Sequence, residues 1–195
     1  MTALRILLPA AGTASRMRGG DKLLEQIKGT PLLQRQAARA LQISPEVVVT
    51  LRAGDTARQA CLQGLAVRLI FVADAGEGLA ASLRAGTKDA DSAVMILPAD
   101  MPEIDTADLR ALTEAMRQDP SQIWRGATAD GIAGHPVIFP ADLLPAFQTL
   151  SGDLGARAIL AKNHARIRLC PLPARHALTD LDTPEDWQSW RANQI

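Results

Sequence analysis

Tyrosine is missing from the chain altogether, and only three tryptophans and three phenylalanines stand among its 195 residues. Neither charge is in surplus, with 21 Lys and Arg against 21 Asp and Glu. A protein that grips a nucleic-acid backbone relies on excess cations, often interleaved with stacking aromatics, so a nucleic-acid partner is not expected. The two cysteines, Cys61 and Cys170, lie far apart, with no CxxC and no histidine at metal-ligand spacing. Neither a disulfide framework nor a zinc site is indicated, and a reducing cytoplasm is the expected location. No run approaches the roughly 18 uninterrupted apolar residues that cross a bilayer. The start, MTALRILLPAAG, has the outline of a signal peptide. Its apolar run is about half the usual length and cations follow at once, so it reads as the first buried strand of a soluble protein, with no membrane partner.

What is present is an ordinary globular composition, 47% apolar and 22% charged, in a length that suits one domain over residues 1–195. Short apolar, β-branched runs recur at 4–8, 46–51, 67–72 and 93–98 and read as buried strands. Between them, residues 30–42, 55–65 and 79–90 repeat apolar positions at three and four, as helices covering a sheet require. Strand and helix alternate, which predicts right-handed βαβ crossovers and an α/β, doubly wound, Rossmann-like three-layer sandwich with a mostly parallel sheet. A further helix is expected over 105–116, capped by Asp105 or Thr106. Asp130-Gly131 between two β-type runs predicts a small antiparallel excursion over 123–139. Two short helices, an edge strand at ARIRLCPL and a closing helix complete the chain, the last with Thr183 as N-cap, Pro184 first and Asp186 three residues after the cap.

The stretch LPAAGTASRMRGGDKLL, residues 8–24, sets Ala10, Ala11 and Gly12 ahead of Arg16, Arg18 and Lys22. It follows the first strand, and in an open parallel sheet ligands gather at the carboxyl ends of the strands. Small residues let a ligand approach the backbone, whose N–H groups converge on an anion in a tight turn, while Arg16 offers a planar fork and Lys22 a point charge. This is the chemistry of a phosphate cradle, although neither GxxxxGK[ST] nor GxGxxG is present. The plainer alternative is a solvated loop whose cations oppose acidic neighbours such as Asp21 and Glu25.

Two acidic sites lie downstream. LPADMPEI sets Asp100 just past the fourth strand, and TDLDTPED sets Asp180 and Asp182 ahead of a helix N-terminus. Nucleotide phosphates arrive with Mg²⁺, which accepts a few carboxylates and completes its shell from phosphate and water. Taken alone, Asp100 also suits a turn before Met101-Pro102, and Asp180 or Asp182 a local cap.

The motifs AAGTASRM…DK (10–22), GLAASLRAG (78–86), PADMP (98–102), GHPVIF (134–139), SGDLGARAIL (151–160) and DLDTPED (180–186) together resemble, in order and over nearly the whole chain, the MobA-like nucleotidyltransferases. Within them the pattern looks closest to the molybdenum cofactor cytidylyltransferases. The resemblance implies that Ala10, Ala11 and Gly12 line the nucleotide, that Arg16 and Lys22 hold its phosphates, and that Ser82 contacts base or ribose. It implies Mg²⁺ on Asp100 and on a late aspartate, Asp182 before Asp180, and a second substrate near His135 and Asp153. Catalysis would rest on Lys22, Arg16 and Asp100. The implied partners are a nucleoside triphosphate, CTP first, and molybdopterin cofactor, with a molybdoenzyme or its chaperone as an optional further partner. Guanylyltransferase members typically lack the GHP and GDxGAR segments and carry Asn in the last motif, which tips the expectation toward cytidylyl transfer.

Several positions depart from the family pattern. Pro9 replaces Leu, Ala14 stands where Ser is common, Arg18 follows Met in place of Gly, and Ala99 replaces Gly before the aspartate. The alternatives are therefore a guanylyltransferase, a sugar-phosphate nucleotidyltransferase, or a carrier or chaperone that delivers the pterin without chemistry. No Ser/His/Asp or Cys/His triad is needed, because a phosphate acceptor is already anionic near neutral pH. His164 and His176 are expected at the surface, Met101 and Met116 in the core, and Trp187 with Trp190 on a packed helix face.

Overall fold

A computed structural model of the chain describes residues 3–193. Its strands are β1 (Leu4–Ala10), β2 (Gln26–Ile27), β3 (Thr30–Pro31), β4 (Val47–Arg52), β5 (Arg68–Val72), β6 (Ala93–Ile96), β7 (Ile123–Ala127), β8 (Ala133–Phe139) and β9 (Ile167–Pro171). Its helices are α1 (Leu32–Leu41), α2 (Thr56–Cys61), α3 (Leu79–Thr87), α4 (Thr106–Gln118), α5 (Leu144–Phe147), α6 (Arg157–Lys162) and α7 (Pro184–Ala192).

Seven strands form one sheet in the order β5-β4-β1-β6-β8-β7-β9. β1, β4, β5 and β6 pair in parallel, β8 runs against both β6 and β7, and β9 lies parallel to β7 at the edge. The antiparallel excursion is thus a single strand, reached through the turn around Asp130-Gly131, where Gly131 takes the left-handed φ of 87°. A separate two-stranded hairpin, β2 with β3, follows the first loop. Its strands are two residues each, too short to leave an alternation in the sequence.

β1 shows why the sheet has two covered faces. Leu4, Ile6, Leu8 and Ala10 join Leu33 and Ala37 of α1 and Leu109, Leu112 and Met116 of α4 in one core. Leu7 points the other way, into a core with Leu83 of α3 and Phe147 of α5. Because side chains alternate with a period of two, a slip of one residue would exchange these faces, and each large side chain is worth about 1.5–3 kcal/mol when buried. Gly86 lets α3 close on β1, since a Cβ there would collide with the Leu7 side chain. α4 and α7 start on capping boxes, Asp105 with Asp108 and Thr183 with Asp186. Trp187 is buried, with Trp190 against it edge to face at 6.0 Å between centroids. Met101 and Met116 are buried as expected.

The chain leaves β1 toward β4 and β5 on one side, then returns across the sheet to β6 on the other. Between β1 and β6 the connections diverge, which opens a crevice above their carboxyl ends. Among the described residues no helix is long and apolar enough to cross a membrane.

Candidate active site

The first loop leaves β1 at Ala10 and is held from three sides. Met17, in a single turn of 3-10 helix, is buried with Ile27, Leu32, Leu181 and Trp187, so the loop is pinned to α7 by apolar contact. Arg18 takes the left-handed φ of 52° and pairs with Glu185 at 2.7 Å. A residue with a Cβ is uncommon there, which explains why glycine suits this position in the family pattern. From below, the buried Arg58 of α2 donates to the carbonyls of Ala10 and Gly12 at 2.7 and 2.8 Å and to both carboxylate oxygens of Asp21 at 2.8 and 2.9 Å.

The acidic neighbours Asp21 and Glu25 have other partners than the loop's cations. Asp21 is spent on Arg58, and Glu25 pairs with Arg191 at 2.7 Å, so neither faces the loop's cations. Lys22 instead places its ammonium 2.5 Å from Asp100 Oδ2 and 2.5 Å from Asp182 Oδ1, each side chain about 20% exposed. Arg16, 70% exposed, donates to the other oxygen of Asp182. Burial alone would lower the pKa of Lys22, but the charges of Asp100 and Asp182 and hydrogen bonds to both raise it above the usual lysine value. The two aspartate segments also touch directly, because Leu181 N–H donates to Asp100 C=O at 3.1 Å.

Cations and carboxylates from residues 16, 22, 100 and 182 thus meet at the switch point, in a cavity of about 890 Å³. That volume lies at the upper end of small-molecule sites. Ala10 and Gly12 line it, whereas Ala11 turns its side chain inward against Val72, Ala75 and Ala81. Ser82, in the first turn of α3, lines it as well and is buried. Asp180 shares the wall without bonding Lys22 or Arg16; desolvation, and then the charges of Asp100 and Asp182, raise its carboxyl above the ordinary value.

His135 and Asp153 face the same cavity from β8 and from the loop before α6. The Asp153 carboxylate accepts from Leu79 N–H at 3.2 Å at the start of α3, and Gly78 has no room for a Cβ beside it. His135 precedes a cis proline, and its buried Nδ1 has no partner. Burial, and then the charge of Arg125, lower its pKa below the usual histidine value. His176 departs from expectation: it is half-buried, with Nδ1 2.8 Å from Asp108 Oδ2. Sequence reasoning missed three arginines. Arg58 buttresses the loop, and Arg125 and Arg157 line the His135 end of the cavity. Arg157 was within reach, since it ends the quoted SGDLGAR segment; Arg125 sits in a strand with no local signal.

A doubly wound sheet with cations and carboxylates gathered at its switch point defines a class, the Rossmann-like phosphate-handling proteins. Residues 6–167 match the family model described as the MobA-like NTP transferase domain, and the chain belongs to that family. It is 30% identical to the molybdenum cofactor guanylyltransferase of Pseudomonas fluorescens (strain Pf0-1), covering 92% of this chain and 90% of that protein. It is 35% identical to the bifunctional protein GlmU of Acidovorax ebreus (strain TPSY) over 59% of this chain, which spans only 26% of that protein. Among solved structures, Rv0371c of Mycobacterium tuberculosis superposes with a TM-score of 0.82 at 23% identity, covering 97% of each chain. Its complex with manganese gives 0.77 at 21% identity, again over 97% of each.

Proposed function

We propose that the protein is a divalent-cation-dependent nucleotidyltransferase that moves CMP from CTP onto the terminal phosphate of molybdopterin cofactor. An oxygen of the acceptor phosphate bonds to the α-phosphorus, the bond from that phosphorus to the α,β-bridging oxygen breaks, and pyrophosphate leaves with those electrons. The observation that carries this reading is the convergence of Lys22, Asp100 and Asp182 at one point beside Arg16.

That point suits a metal. Two hard carboxylate oxygens reach one cation, the Lys22 ammonium, and the same donors suit Mg²⁺ or Mn²⁺. Among the described residues no group of three or more His, Cys, Asp or Glu is placed to hold a metal ion. When bound by Asp100 and Asp182, Mg²⁺ supplies charge stabilisation at the α-phosphate. The manganese complex of Rv0371c supports a divalent cation on this fold.

The chain's own groups do the rest by position and charge. Ala10 and Gly12 leave room for the triphosphate against the backbone. Arg16 leaves its aspartate at little cost, because exposed ion pairs contribute about 0–1 kcal/mol, and its fork then meets phosphate oxygens. The ammonium of Lys22, on a flexible stem, offsets charge that grows on the leaving pyrophosphate. Ser82 contacts base or ribose. His135, with its unpartnered Nδ1, and Asp153 receive the acceptor, and Arg125 and Arg157 balance its phosphate.

The full-length relationship to a molybdenum cofactor guanylyltransferase favours a second reading, with GTP as donor. Incubation with molybdopterin cofactor and either triphosphate, reading pyrophosphate, decides between them. At least tenfold faster release with CTP is expected. The opposite preference transfers the assignment to GTP, a response to sugar phosphates alone changes the acceptor, and pterin binding without pyrophosphate from any triphosphate overturns catalysis in favour of a carrier.

A further inference from the structure

A second cavity, of about 440 Å³, lies behind the first loop, between α1, α7 and the segment that follows Asp100. Its wall carries charges of both signs, Lys28, Arg35, Arg39 and Arg191 against Glu103 and Asp105. Asp105 caps α4, accepting from Ala107 and Asp108 N–H groups, and Glu103 accepts from Trp190 Nε1 at 3.2 Å. Arg191 pairs with Glu25. Arg35 and Arg39 stand one turn apart on α1, and neither forms a salt bridge with a carboxylate among the described residues. Arg39 donates to two neutral carbonyls, Pro102 at 3.0 Å and Ile104 at 2.5 Å, and Arg35 Nε is buried with no partner. Lys28, exposed at the tip of the β2–β3 hairpin in a left-handed conformation, adds a third cation to the wall.

Burial, and then the like charge of Arg35, hold the Arg39 guanidinium below its ordinary pKa. Like charges four apart on a helix oppose each other, while the charges of Asp105 and Asp108 and the bonds to two carbonyls hold Arg39 in place. Lys28, Arg35, Arg39 and Arg191 outnumber Glu103 and Asp105 on this wall, and that positive excess, with two guanidinium groups of α1 in it, suits a compact oxyanion.

We infer that this cavity is a second anion site, distinct from the cleft, that takes a small phosphate-bearing molecule on Lys28, Arg35 and Arg39. Its walls continue the three segments that carry Lys22, Asp100 and Asp182, so an occupant meets them from behind. The site does not depend on the proposed transfer reaction.

Calorimetric titration of the metal-free protein with inorganic pyrophosphate tests it. The wild type is expected to bind two equivalents, the Lys28→Ala/Arg35→Ala variant one, and the Arg16→Ala/Lys22→Ala variant one. In the last variant the tryptophan fluorescence should respond, and adding Lys28→Ala/Arg35→Ala should weaken the remaining site at least tenfold. Thermal unfolding verifies that each variant is folded; if the Arg16/Lys22 variant is not, the count in wild type against Lys28→Ala/Arg35→Ala decides alone. Citrate in place of pyrophosphate separates phosphate from carboxylate recognition, and tighter citrate binding at this site overturns the phosphate assignment. A single pyrophosphate site in the wild type, unchanged by Lys28→Ala/Arg35→Ala, overturns the proposal.

Discussion

Lys22 stands between two carboxylates that would otherwise repel each other, and its position rather than its charge alone sets what its loss would do. Lys22→Ala should lower turnover about 10²–10³-fold, the usual cost of one preorganised charge at a reacting centre. The KM for the triphosphate should rise far less, because in the proposed site Arg16 and the loop backbone still face its phosphates. Steady-state kinetics checks this, and near-normal turnover would count against Lys22 as the group that offsets leaving-group charge. Arg16, Lys22, Asp100 and Asp182 were legible as residues because three cations on a glycine-containing loop and aspartates at strand and helix ends are local signals. Their common destination was not, since 78 residues separate Lys22 from Asp100 and 160 separate it from Asp182. His176 misled for the same reason: its partner Asp108 lies 68 positions away.

α2 matters less as a helix than as the carrier of Arg58, whose guanidinium is 4% exposed and ties Asp21 to the carbonyls that open the first loop. Arg58→Ala removes the cation from a half-buried carboxylate, which keeps the Leu23 N–H, and the guanidinium donor from two carbonyls. Breaking a buried pair from one side costs about 3–5 kcal/mol, and the partial exposure of Asp21 puts this one at the lower end. Urea denaturation should show a loss of about 3 kcal/mol, with a raised KM for the triphosphate because the loop is no longer braced; Arg58→Lys should recover part of each. A loss below about 1 kcal/mol would mean that the loop is held by the Met17 contacts instead. Arg58 reads in sequence as one more charged position on a covering helix. That helix also ends earlier than periodicity suggests, at Cys61 rather than 65, with Gly64 in the left-handed region at φ 82° closing the turn. Helix starts fared better, because capping boxes are written in adjacent residues.

The parallel sheet divides the molecule into two ends, with the cleft at the carboxyl ends of β1 and β6 and a separate ion-pair network at their amino ends. There the buried Arg5 bridges Glu46 at 2.6 Å and Asp89 at 2.8 Å, and Arg68 reaches Asp89 at 2.7 Å. Hydrogen bonds from Arg68, and then Arg5, hold the Asp89 carboxyl well below the usual carboxylate range. A depressed folded-state pKa gives stability that is full above the unfolded value, about 3.9, and lost as pH falls below it. Denaturant titrations from pH 6 to pH 2 should therefore show wild type losing its advantage over Asp89→Asn as pH drops below about 4. Parallel curves for the two proteins would remove Asp89 from the account of acid stability. The order of the first strands and helices was readable because β1, β4 and β6 are mostly apolar runs and the helices between them amphipathic, although β5, expected to be buried, lies at the sheet edge with Phe71 exposed. The switch between β1 and β6, which makes the cleft, is a property of strand order that no single segment carries. The central claim is that one cleft joins the amino-terminal cations and two distant aspartates around a metal-bound triphosphate. Anomalous diffraction from a crystal grown with Mn²⁺ and CTP tests it most directly. The account predicts one manganese peak within bonding distance of Asp100 and Asp182, with the triphosphate beside Arg16 and Lys22; manganese and nucleotide bound elsewhere, with Lys22 still bridging the two aspartates, would contradict it.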